Sequence, residues 1–128
     1  MIVTPTVLRP VTPLPGLPDH LEYSLDRLDD DGTLFALRSA SDPAVRLFVV
    51  RPEVFFAEYT PTVDGATRTA VGLGADDQVL LLVVVNPGDD TRPTTANLLA
   101  PVVINSATGA ATQVVLNDAE WPLRAPLR

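Results

Sequence analysis

The sequence predicts an all-β, barrel-like fold: about eight short strands in an antiparallel or mixed sheet, with at most one short helix. Three observations predict it. Short runs rich in Val, Leu, Ile and Thr recur along the chain, each bounded by Gly, Pro, Asn or Asp. Prolines number 13 in 128 residues, and they break helices and confine strands to sheet edges. Only one segment reads as a helix. A chain of this length buries roughly two-thirds of its unfolded surface, so one domain spanning residues 1–128 is expected.

Pro5, Pro10, Pro13, Pro15 and Pro18 crowd the first twenty residues, so residues 2–8 read as a short edge strand and 9–20 as an extended loop. Residues 21–26 (LEYSLD) alternate apolar and polar with period two, the mark of a half-buried strand. Asp29-Asp30-Asp31-Gly32 signals a turn, and residues 33–38 return as the second arm of a hairpin. Ser41-Asp42-Pro43 turns the chain again, into a buried strand over 45–50. Residues 55–60 (FFAEYT) read as a strand ending at Pro61.

The helix is expected over residues 66–73, capped by Asp64 and ended by Gly72 or Gly74; it is short enough that packing must hold it. Residues 79–85 are a continuous apolar run and read as a central strand buried on both faces. Pro87-Gly88-Asp89-Asp90 leads into residues 95–105, where Asn97, Pro101 and Asn105 interrupt an otherwise apolar stretch. That pattern suits an edge strand, or a strand with a bulge, whose polar groups have fixed partners. Ser106-Ala107-Thr108-Gly109 favours a hairpin connection to residues 111–117. Trp121, the only tryptophan, either closes the barrel end or anchors an interface.

Composition excludes several function classes. There is no cysteine and one histidine, His20, so disulfides, thiolate sites and His-based zinc sites are ruled out. No cofactor is expected. The longest apolar run, residues 79–85, falls far short of the ~20 residues of a membrane helix. The N-terminus lacks the charged and apolar regions of a signal peptide, and the expected location is the cytoplasm. A net charge of -7 argues against direct nucleic-acid binding and suits a partner with a basic surface.

Catalytic chemistry finds little to work with. His20 sits in the proline-rich loop without a neighbouring Ser or Cys in a known arrangement. Asp29-Asp30-Asp31, Asp76-Asp77 and Asp89-Asp90 lie at turns, where aspartate caps backbone groups, and the first lacks the spacing and distal Glu of a calcium loop. Gly72-x-Gly74 lacks the third glycine of a dinucleotide fingerprint. An enzyme would have to rest on a turn aspartate such as Asp30 or Asp77, and nothing in the spacing recommends one. Phe55, Phe56 and Tyr59 form the densest aromatic cluster. One phenylalanine is expected in the core; an exposed Phe56 beside Glu58 would make a small apolar patch with a charged rim.

Four segments resemble one family. Residues 96–127 run ANL-APVVIN, a turn, QVVLND, an aromatic, then PLR-PL. Pro15-Gly16-Leu17-Pro18 is similar to a GLP loop, Arg38 to Val50 to a "QS-x-DDP-x-LAFVVVNP" segment, and Phe55 to Tyr59 to "FFPDYE". Taken in order they resemble the flagellar assembly factor FliW family over nearly the whole chain. Arg51-Pro52 stands where that pattern has Asn-Pro, Ala57 replaces its proline, and Thr12-Pro13-Leu14 lacks its phenylalanine. The segment 61–73 is shorter and less acidic than the family's.

The resemblance implies the same barrel and a non-enzymatic function. Its partners would be CsrA, an RNA-binding translational repressor that the family antagonises, and flagellin. This couples flagellin translation to export and needs no direct nucleic acid, no membrane and no oligomer, the expected state being a monomer. It also implies partner contacts at Gly16, Leu17, Phe56, Glu58, Tyr59 and Asn105, each of which has a structural reading as well. A flagellin-only chaperone and a small-ligand-binding β-barrel are the alternatives; the second needs a roomy interior, against which the abundant Val, Leu and Ile argue.

Overall fold

The computed structural model describes residues 5–14, 17, 21–74, 77, 79–116 and 120–127. The expected strand residues 2–4, together with Gly16, His20, Asp76 and Asn117, lie outside them. Nine strands are present among the described residues: β1 (Val7–Pro10), β2 (Tyr23–Arg27), β3 (Leu34–Ser39), β4 (Arg46–Val50), β5 (Leu80–Asn86), β6 (Thr95–Ala96), β7 (Val102–Ile104), β8 (Ala110–Gln113) and β9 (Ala125–Pro126). One helix, α1 (Gly65–Ala70), and a 3-10 turn at Pro52–Val54 join them.

Seven strands close into a barrel in the order β4-β3-β2-β1-β8-β7-β5, with β5 returning to pair β4. All these pairings are antiparallel except β1 with β8, which is parallel and sets Arg9 beside Ala110. β6 and β9 extend the sheet beyond β5 as an outer flap.

β5 shows why the wall is stable. Period-two alternation sends Leu80 and Leu82 into the barrel and Val83 and Val85 outward. Leu82 and Val83 are both 0% exposed, so the strand is buried on both faces as its apolar run predicts. Inside, Leu8, Tyr23, Phe35, Leu37, Val49 and Ile104 fill the barrel against Leu82. The Tyr23 hydroxyl has no hydrogen-bond partner among the described residues, and burial pushes its ionisation above the ordinary tyrosine range. Outside, the flap and the C-terminal segment cover Val83 and Val85 with Leu98, Leu116 and Ala125. The chain just after α1 covers the outer face of β7 through Val71 and Leu73, packed on Val103.

The turns form by side-chain capture of backbone N–H groups. Asp64 caps α1 by accepting from the Thr67 amide at 2.8 Å. The helix ends in a Schellman arrangement: Gly72, at φ +78°, donates to Thr69 and Leu73 donates to Arg68. Asp29 accepts from the Thr33 and Leu34 amides and closes the β2–β3 hairpin. Asp89 accepts from Thr91 and Arg92 in the β5–β6 loop.

Backbone hydrogen bonds, from Thr33, Thr67 and Thr91 respectively, hold Asp29, Asp64 and Asp89 below the ordinary aspartate range. A depressed native pKa means that the unfolded chain binds more protons in that window, so stability rises with pH there. Thermal stability is therefore expected to fall on acidification below roughly pH 4, as these carboxylates protonate. Melts across pH check this: Asp29→Asn should flatten the acid limb and leave the neutral side of the profile level.

Three expectations are corrected. The first strand is not an edge strand: β1 runs on through Arg9 and Pro10, two residues into the expected loop, and is paired by β2 on one side and β8 on the other. Residues 55–60 are not a strand. Pro52 starts a 3-10 turn, Phe55 and Phe56 both donate to the Pro52 carbonyl, and Tyr59 donates to Phe56. Local turns consume the backbone donors that a strand would use. Residues 95–105 are two strands rather than one. Asn97 accepts from the Leu99 and Ala100 amides, making a corner that carries the chain from the flap into the barrel wall.

Candidate functional site

The six residues singled out in the sequence fall in separate places. Gly16 lies outside the described residues. Leu17 is half-buried and packs on the barrel core. Phe56 is half-buried on the outer core, while Glu58 is exposed. Phe55, rather than Phe56, is the open aromatic of the pair, at 39%. The strand geometry that put Phe56 outward does not exist here.

Tyr59 and Asn105 turn inward. The Tyr59 hydroxyl donates to the Leu98 carbonyl at 2.7 Å, and its ring meets Trp121 edge-on with centroids 4.8 Å apart. Trp121 thereby pins the C-terminal segment over the outer core, beside Phe56. Asn105, 6% exposed, is the hub of the β7–β8 hairpin. Its amide nitrogen donates to the Val71 carbonyl at 2.9 Å, satisfying a carbonyl left open at the end of α1. Its side-chain oxygen accepts from Ala107, and its backbone carbonyl accepts from Thr108 and Gly109. Asn105→Ala is expected to cost about 2–3 kcal/mol, because it orphans a buried carbonyl and unties the hairpin from the helix. Denaturant unfolding measures it; a loss below ~0.5 kcal/mol would mean that water replaces the amide.

Leu17 marks a recess that sequence reasoning missed. Residues 111, 113 and 115 share one face of their chain segment, so Gln113 and Val115 follow Ala111 toward the barrel axis. They meet Leu14, Leu17, Leu47 and Val84 around a groove of 480 Å³ at one barrel mouth. Val115 is 65% exposed there, and the amides of Asn86, Asn97 and Gln113 complete the rim. On that face only Ala111 and Val115 are apolar, with Gln113 between them, so it is legible only once the strand's pairing is known.

A second recess of 340 Å³ lies on the outer wall, lined by Leu34, Phe48, Phe55, Val85 and Leu127. A third cleft, 620 Å³, opens beside Arg27, Asp31, Arg51 and Glu53. Its balanced charges select no ligand sign. Among the described residues no group of three or more His, Cys, Asp or Glu side chains is placed to hold a metal ion, and no helix is long and apolar enough to cross a membrane.

These features define a class: small closed β-barrels with a filled interior, whose recesses lie at the mouth and on the outer wall. Comparison with known proteins narrows it. Residues 2–127 match the family described as "FliW protein". The flagellar assembly factor FliW of Symbiobacterium thermophilum is 36% identical over 113 residues, covering 88% of this chain and 82% of that protein. That of Bacillus subtilis is 27% identical over 114 residues, covering 89% and 80%. A crystal structure of the flagellar assembly factor FliW superposes with a TM-score of 0.84 at 26% identity, covering 94% of this chain and 84% of that one. The chain belongs to the FliW family of flagellar assembly factors.

Proposed function

We propose that this protein is a non-enzymatic cytoplasmic regulator that binds CsrA and flagellin as a monomer, releasing flagellin translation from CsrA repression until flagellin itself claims it. The family match over residues 2–127 carries this reading. Two physical features support it. The net charge of -7 suits a partner whose RNA-binding surface is basic, and steers the encounter. The interior, packed with Leu8, Tyr23, Phe35 and Ile104, favours a protein partner on the surface over a small ligand inside.

A switch requires that the two partners bind with negative coupling, so that each weakens the other's affinity by the same factor. Co-elution of the purified protein with its host's CsrA, then with flagellin, at low and moderate salt, tests it. Binding to CsrA that flagellin displaces is the expected result. Capture of flagellin alone would replace the switch by a chaperone role, and binding to neither partner would end the proposal.

A further inference from the structure

The outer wall of β2, β3 and β4 carries a charge arrangement that folding alone disfavours. Register pairs Arg38 of β3 directly with Arg46 of β4, and Arg38 in turn with Ser24 of β2. Both arginines are exposed, and neither forms an ion pair among the described residues. Like charges directly opposite each other on an antiparallel pair are destabilising. The chain has 16 acidic residues against 9 basic ones, yet among the described residues no carboxylate pairs with either guanidinium.

The pair borders the outer recess. The Arg46 guanidinium lies over the Phe48 ring, 4.9 Å from its centroid, and Phe48 is part of the recess wall. Phe48 pairs with Val85, so continuing that register sets Arg46 beside Pro87, also in the wall. The floor is apolar: Leu34, Phe48, Val85 and Leu127, with Phe55 standing half in solvent at one side, and the one carboxylate in the lining, Asp29, accepts from the Thr33 and Leu34 amides at the β2–β3 turn. An apolar trough therefore runs up to two unpaired cations held at fixed spacing by the sheet. An arginine stacked on an aromatic ring has its fork pre-oriented for a carboxylate, at less entropic cost than a free side chain.

We infer that this surface docks an acidic amphipathic segment of a partner protein, whose apolar side chains enter the trough while its carboxylates pair with Arg38 and Arg46. The trough alone would accept any apolar segment; the opposed arginines choose an acidic one. The inference stands independently of the CsrA and flagellin reading, since neither partner is needed to test it.

The intact chain would be titrated against a fluorescein-labelled synthetic peptide with leucines on one helical face and glutamates beside them, read by anisotropy and by amide shift mapping. Control peptides carry lysine for glutamate or serine for leucine. Saturable binding is expected, with shifts confined to β3, β4, Phe55 and Leu127, and with both controls weaker. The double variant Arg38→Gln, Arg46→Gln should bind about tenfold more weakly or worse, while melting at a higher temperature than the parent because the repulsion is gone. Phe55→Ser should also weaken binding, without the gain in melting temperature. Undiminished binding in the double variant would overturn the inference. So would equal binding of the lysine peptide, shifts centred on the barrel mouth, absence of saturable binding, or an RNA oligonucleotide taking the same residues in the peptide's place.

Discussion

Gly109→Ala is expected to be the most damaging single substitution in the barrel, lowering stability by about 3–5 kcal/mol. Gly109 sits at φ +82°, where an L side chain costs about 1–2 kcal/mol. A Cβ there would also collide with the carbonyl oxygen of Val7. That neighbour is backbone in β1, which cannot swing aside as a flexible side chain can. The collision falls where β1 meets β8, and the Arg9 amide donates to the Gly109 carbonyl at 2.9 Å in the same place. The substitution therefore strains the turn and pries at the parallel seam together. Thermal unfolding should show a melting temperature lower by more than about 10 °C. A change within ~2 °C would mean that the hairpin has another low-energy geometry.

Leu82→Ala is the second large expectation, at about 2–5 kcal/mol. Leu82 is fully buried at the centre of β5, facing Leu8, Phe35 and Ile104 across the barrel interior. A closed sheet cannot collapse around the void, because β5 is hydrogen-bonded to β4 on one side and β7 on the other. Val84→Ala, on the same inward face but at the open mouth, should cost less than half as much. Urea titration of both variants separates the two cases: the midpoint of Leu82→Ala should drop sharply with its slope unchanged. Equal losses would show that the mouth is packed as tightly as the centre.

The legible parts of the fold were those decided within a few residues. Asp64 and Gly72 mark the two ends of α1 through their own backbone contacts, so the sequence contains both signals. The apolar run of β5 announces a strand buried twice, because no other role tolerates it. Residues 55–60 misled because three aromatics favour a strand, whereas the deciding event is the Pro52 carbonyl drawing two amides back on themselves. The long run after Thr95 hid its corner because Asn97 can sit in a bulge as well as in an Asx turn.

The candidate sites were less legible for a physical reason. Tyr59 is committed to a carbonyl 39 residues away and Asn105 to one 34 residues away, and nothing local reports either partner. Arg38 and Arg46 are unremarkable in the chain; only the β3–β4 register makes them neighbours. Leu17 was noticed through its motif, but the groove around it is assembled from four other segments.

The parallel seam of β1 and β8 sets a schedule for the ribosome. Arg9 waits for Ala110, so the barrel cannot shut until the hundred residues between them have emerged. At about 5–20 residues per second the first strand spends roughly 5–20 s as an open edge, exposed to the pairing errors that unfinished sheets invite. Any partner that reads the closed barrel meets this protein only after β8 has been made, which makes its own production rate a delay in whatever circuit it serves.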